Sequence, residues 1–134
     1  MNRTSLERAL QTLAEARGYH FHTAAEEYMA RQIGAYPAAW LAPLKLLEID
    51  GRRHGRAVYG VTLHLLCEGA RLSPGQRSER WASMEDQALD LFGRLCDQER
   101  VLAVEKLTLR PRTFAFTNHG EISLTAEAEV ITWF

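Results

Sequence analysis

Ile122-Ser123-Leu124-Thr125-Ala126-Glu127-Ala128-Glu129-Val130-Ile131-Thr132-Trp133-Phe134 closes the chain, and its alternation decides how the rest is read. Ile122, Leu124, Ala126, Ala128 and Val130 fall on one side of an extended backbone, and Ser123, Thr125, Glu127 and Glu129 on the other. This is the period-two pattern of a half-buried strand. Just before it, Thr117-Asn118-His119-Gly120 pairs a residue that tolerates left-handed backbone angles with a glycine that takes them freely, as a tight reversal requires. Residues 107–134 therefore read as a long antiparallel hairpin. Trp133 and Phe134 end it without a polar tail. Leaving them in water would forgo roughly 1.5 to 3 kcal/mol each, so both are expected to pack on the chain itself or on a second copy.

Working outward, Val101 to Phe116 supplies the opposing arm, bent near Arg110-Pro111-Arg112. Upstream, Ser73-Pro74-Gly75-Gln76 opens a helix: serine caps, proline suits a first turn whose donor would be unpaired anyway, and glutamine reaches back. Trp81, Met84, Ala88, Leu91 and Leu95, with Phe92 beside them, form one apolar stripe on what should be the longest helix. Ser83-Met84-Glu85-Asp86 is an alternative start that would leave residues 74–82 as a separate turn. Before this helix, Ala57, Tyr59, Val61, Leu63, Leu65 and Cys67 alternate along a strand. That strand returns from a hairpin tip at Asp50-Gly51-Arg52-Arg53-His54-Gly55-Arg56. The arm leading into the tip, residues 38–49, is extended and apolar but interrupted by Pro43, which points to an edge position or a bulge.

At the amino end, Thr4-Ser5-Leu6-Glu7 has the form of a capping box. It is followed by Leu6, Ala9, Leu10 and Leu13 at helical spacing, predicting a first helix to about Ala16 with Gly18 as its stop. Thr23-Ala24-Ala25-Glu26 repeats the capping pattern before Tyr28, Met29 and Ile33, a short second helix ended by Gly34 and Pro37. The expected fold is a single α+β domain over residues 1–134. Its mostly antiparallel sheet of about four strands, in two long hairpins, packs against the long amphipathic helix and the N-terminal helix.

At 134 residues one core suffices without metal or disulfide staples. Sixteen basic residues against seventeen acidic ones, a formal charge of -1, argue against sequence-specific nucleic-acid binding or an anionic membrane as partner. Cys67 and Cys96 lack paired spacing and read as reduced thiols. No apolar run approaches the ~20 residues of a bilayer span, and Met1 to Glu7 has no cleavable hydrophobic leader, so a soluble, cytosolic chain is expected.

Motifs that carry chemistry are sparse. His20-x-His22 could form half of a metal site, but no third ligand follows at suitable spacing, so the pair reads as surface or partly buried. His64, in a strand, and His119, in a turn, read as hydrogen-bonding residues rather than general bases. Glu26-Glu27, Glu85-Asp86 and Glu127-x-Glu129 fit early helical turns and the outward face of a strand. There is no phosphate-binding loop, dinucleotide fingerprint or nucleophile elbow. No catalytic residue, metal or cofactor is expected. The one local concentration of charge is Arg52, Arg53, His54 and Arg56. It is either a solvated hairpin end or an arm that docks on an acidic protein surface, for which arginine forks are suited.

Tyr36-Pro37-Ala38-Ala39-Trp40-Leu41 and the terminal Ala126 to Phe134, set in this order of elements, resemble the tail terminator proteins of long-tailed bacteriophages. The likeness spans residues 36–134 and lies more in the order of elements than in any single residue. It implies a small α+β subunit without catalysis, assembled in the host cytoplasm and carried in the virion tail. Such a subunit forms a homo-oligomeric, hexameric ring on the tail tube protein and meets the head-tail connector protein. Arg52, Arg53, His54, Arg56, Trp133 and Phe134 are then the candidate protein-interaction residues. Two other classes stay open. One is a small-molecule-binding or regulatory module, dimeric through its sheet edge, which a deep apolar pocket with convergent polar groups would favour. The other is an enzyme, which a cleft holding His64 or His119 beside a carboxylate would favour.

Overall fold

The computed structural model describes residues 1–134. In chain order the elements are α1 (Arg3–Glu15), β1 (His20–Thr23), a 3-10 turn (Glu26–Tyr28) running into α2 (Met29–Gln32), β2 (Ala38–Leu41), β3 (Lys45–Gly51), β4 (Gly55–Cys67), α3 (Pro74–Leu95), β5 (Val101–Arg112) and β6 (Ile122–Trp133). The α+β class holds, but the sheet has six strands rather than four and is mixed rather than antiparallel throughout. Its order is β1-β2-β4-β6-β5, with β3 also paired to β4.

The centre of the sheet is the long antiparallel pair of β4 and β6, in unbroken register from Arg56 opposite Trp133 to Cys67 opposite Ile122. The alternation along each strand gives it one apolar face but does not name its partner. Ala57, Tyr59, Val61, Leu63, Leu65 and Cys67 face the same core as Ile122, Leu124, Ala126, Ala128 and Val130. α1 and α3 cover that face, contributing Leu6, Leu10 and Ala14 from one helix and Met84, Ala88, Leu91, Phe92 and Leu95 from the other. α3 runs unbroken from Pro74, capped by Ser73 and Gln76 as the sequence indicates, so the alternative start at Ser83 is not used. The Trp81 indole donates to the Ser123 carbonyl at 3.1 Å, fixing the helix across β6.

Four local expectations are corrected. α1 is capped by Asn2 and Ser5, not by Thr4 and Glu7, because the Asn2 carboxamide accepts from Ser5 N while Ser5 Oγ accepts from Asn2 N. The arm from 38 to 49 is two strands: Pro43 breaks it, and β2 and β3 pair successively with the far and near halves of β4. In β5 the irregularity is not at Arg110-Pro111-Arg112. The register shifts instead between Val101 and Ala103 and between Glu105 and Thr108, where Lys106 takes a positive φ of 54°. Finally, β5 stops at Arg112 rather than at Phe116, and residues 113–121 form a loop that keeps the expected turn at Asn118–His119 and the positive φ, 69°, of Gly120.

The second face of the sheet is covered only at one end. β1 runs parallel to β2, a pairing that needs a crossover of about a dozen residues, and residues 24–37 supply it. They carry Met29 and Ile33 onto Ala38, Trp40 and Leu66, a smaller core joined by Phe116 from the 113–121 loop. The remainder of this face holds the apolar pair Val58 and Ile131 and a polar stretch laced by Lys106–Glu129 at 3.2 Å and Arg110–Glu127 at 3.0 Å. No helix is long and apolar enough to cross a membrane.

Candidate functional site

The β3–β4 tip and the last two residues meet at one end of the sheet. Gly51 has φ +102°, and a Cβ there would lie 2.6 Å from both Gly55 Cα and the His54 carbonyl oxygen. A Cβ on Gly55 would lie 2.1 Å from the Asp50 carbonyl oxygen and 2.6 Å from the Phe134 ring. Only glycine fits at either shoulder. Gly55 and Phe134 exchange backbone hydrogen bonds of 3.1 and 2.9 Å, so the carboxyl-terminal residue clamps the tip in place.

The six residues singled out in the sequence are thus gathered, though not as equals. Phe134 packs on the margin of the main core and has a structural role. Arg56 lies 3.4 Å from Glu48 and 3.5 Å from Asp50, so its charge is largely answered within its own hairpin. Arg52, Arg53 and His54 are exposed and have no carboxylate within 4.0 Å. Trp133 keeps one side in solvent with the Arg100 guanidinium 5.8 Å from its ring centre. The terminal ammonium of Met1 donates to the Trp133 carbonyl, and burial, then the neighbouring Arg100, lowers its pKa.

Sequence reasoning placed an extended arm beside the tip but not its exposure. Every residue of β3 is exposed, including Leu46 (46%), Leu47 (50%) and Ile49 (56%), and Leu102 (57%) and Trp133 (45%) are exposed at the same end of the sheet. Leu46 and Ile49 lie opposite the core residues Tyr59 and Ala57, extending the apolar face beyond the helices. Leu47 instead lies over Gly60, on the opposite face. The outer edge of β3 pairs with no strand. The signal was present in Leu46-Leu47-Glu48-Ile49, which puts apolar residues on each side of a strand that Pro43 already marks as an edge. A shallow hollow of about 380 Å³ among Asp50, His54, Arg56, Leu102 and Trp133 completes this end.

The histidines fall elsewhere. His20 and His22 share one side of β1, with His22 stacked on Trp40 at 5.5 Å. No group of three or more His, Cys, Asp or Glu side chains forms a metal cage. His64 is buried and lies beside a carboxylate, with Glu26 3.2 Å from Nε2 and Thr125 Oγ1 2.8 Å from Nδ1. The Glu26 contact lacks hydrogen-bond alignment, and Nε2 is otherwise unpartnered. Phe116 packs against the ring at 4.9 Å, and none of the larger hollows opens onto it. His119 does line a hollow, with Nδ1 2.8 Å from the Tyr36 hydroxyl and Glu68 on the same wall. No protein-family model matches the chain, and a search of curated proteins returns no match.

Proposed function

We propose that this chain is a structural assembly subunit of the tail terminator kind. Copies close into a ring, six by the resemblance, on the end of a phage tail tube, stop its growth and offer the head-tail connector a docking surface. The subunit performs no catalysis and needs no cofactor. It works in the host cytoplasm during assembly and remains in the virion.

One observation carries the reading: the free edge strand β3, which exposes Leu46, Leu47 and Ile49 among Lys45, Glu48 and Asp50, adjoins two unpaired arginines and the exposed side of Trp133. Lys45, Glu48 and Asp50 guard this edge against indiscriminate strand pairing, while the exposed leucines and isoleucine between them are the kind of apolar surface that marks interaction sites. β3 and β5 are free edges on opposite sides of the sheet. A head-to-tail contact between unlike surfaces of this kind generates a ring when its rotation closes.

The test mixes purified Arg52→Glu/Arg53→Glu protein with tail tubes and measures tube length and capping. Wild type should cap, and the variant should not, although its melting temperature is unchanged. Normal capping by the double variant returns the tip to a solvated loop, and failure of the wild type to bind tubes removes the terminator reading. A second reading, a small-molecule-binding module, is favoured by the hollow of about 600 Å³ that Tyr36, Arg71, Arg80 and His119 line at the opposite end of β4.

A further inference from the structure

Two hollows of about 600 and 230 Å³ share Tyr36, Glu68 and Arg80 and so form one groove. It lies where β4 ends, a strand's length from the basic tip, between the loop following Cys67, the first turns of α3, and Tyr36 and His119. The loop is held firmly: the Gly69 carbonyl accepts from the Arg77 guanidinium at 2.8 Å and from Leu72 N at 3.2 Å. The Tyr36 hydroxyl is fixed by Thr117 at 3.2 Å and His119 at 2.8 Å. These contacts give the groove walls before any ligand arrives.

The charges along these walls are unbalanced. Arg17 is paired with Asp90, and Arg77 is engaged by the Gly69 carbonyl. Arg71 and Arg80 line the larger hollow with no carboxylate within 4.0 Å of either, and Glu68 is the one carboxylate among its lining residues. Arg80 also reaches the narrower hollow. Burial raises the pKa of both the Tyr19 hydroxyl and the Cys67 thiol there, and the nearby Arg80 opposes both shifts. Guanidinium forks present paired donors matched to the oxygens of carboxylates and phosphates. Two such groups line one hollow whose walls are already fixed.

We infer that this groove binds a small oxyanion, a phosphate- or carboxylate-bearing molecule, through Arg71 and Arg80, with Tyr36 and His119 bounding its remaining part. The site is separate from the assembly surface and stands whether or not the chain forms rings.

The experiment titrates the full chain with inorganic phosphate and, separately, with succinate, against sodium chloride at matched ionic strength. Amide resonances of residues 68–72 are followed by NMR, with melting temperature as a second readout. One or both oxyanions should move these resonances saturably and raise the melting temperature, while chloride should not. A response to phosphate alone assigns phosphate compounds, and a response to succinate alone assigns carboxylates. Arg71→Ala/Arg80→Ala should weaken binding by at least about tenfold with an unchanged melting temperature in the absence of ligand, since both side chains are exposed. Arg52→Ala/Arg53→Ala should bind like the wild type. The site is overturned by the absence of a saturable shift with either oxyanion, by equal binding in the Arg71→Ala/Arg80→Ala protein, or by loss of binding in the tip variant.

Discussion

Glu121 holds the 113–121 loop through both of its carboxylate oxygens. One accepts from Phe116 N at 2.6 Å and Thr117 N at 2.9 Å, the other from Thr117 Oγ1 at 2.6 Å, and the side chain is buried. Removing it leaves buried donors unpaired, so Glu121→Ala should lower stability by about 3 kcal/mol, measured by urea unfolding. Phe116, which this loop lays over His64, should lose its packing with it. His64 itself has its pKa lowered from the model-compound value of 6.5, first by burial and then by Arg112, against the opposing pull of Glu26 and Glu127. The sign follows directly. Below about pH 6.5 the unfolded chain takes up a proton that the folded chain resists, so stability falls with pH until the folded-state value is passed. His22, also lowered by burial and by His20, acts in the same direction. His64→Gln should therefore lose less melting temperature than wild type between pH 7.5 and 5.5, and equal losses would assign the effect to other groups. Reading His64 and His119 as hydrogen-bonding residues was possible from the sequence. Their partners Thr125 and Tyr36 were not, since each lies more than sixty positions away.

Elements were legible where their signals are local. α3 announces itself by its cap, its proline and its apolar stripe, and Leu91 lies at the centre of that stripe, buried among core residues. Leu91→Asp should unfold the domain, because an unpaired carboxylate there costs several kcal/mol. A soluble variant with native circular dichroism and melting would show that α3 does not depend on this contact. β4 and β6 were equally legible, since a side-chain period of two fixes both strand and face. β1 was missed as a strand because His20-Phe21-His22-Thr23 is only four residues long and gains its hydrogen bonds from a parallel neighbour across the 24–37 crossover. Residues 113–116 were read as strand because Phe114 and Phe116 suit one. The Glu121 bonds that override this preference depend on the backbone already being folded.

At the scale of the molecule, the sheet has one end sealed by helix, crossover and loop, and another where β3 stands exposed. The proposed assembly divides that exposed end into two kinds of contact, apolar along β3 and Trp133 and electrostatic at Arg52 and Arg53, which salt distinguishes. Attraction between charges at a solvated rim is screened over about 8 Å at physiological ionic strength, whereas burial of leucine and isoleucine is not weakened by screening. Leu47→Lys/Ile49→Lys places charge where a partner would be buried against the strand. Both positions are half exposed in the single chain, so monomer stability should change by no more than ~0.5 kcal/mol. If β3 forms the interface between neighbouring copies, this variant should fail to assemble on tail tubes at every salt concentration. The Arg52→Ala/Arg53→Ala protein should instead follow wild type at high salt, where screening has already removed the arginine contribution, and fall below it only at low salt. Light scattering with and without tubes, across a salt series, reads both variants. Ring formation by the lysine variant equal to wild type would exclude β3 from the interface and leave the arginine tip as the contact to be tested.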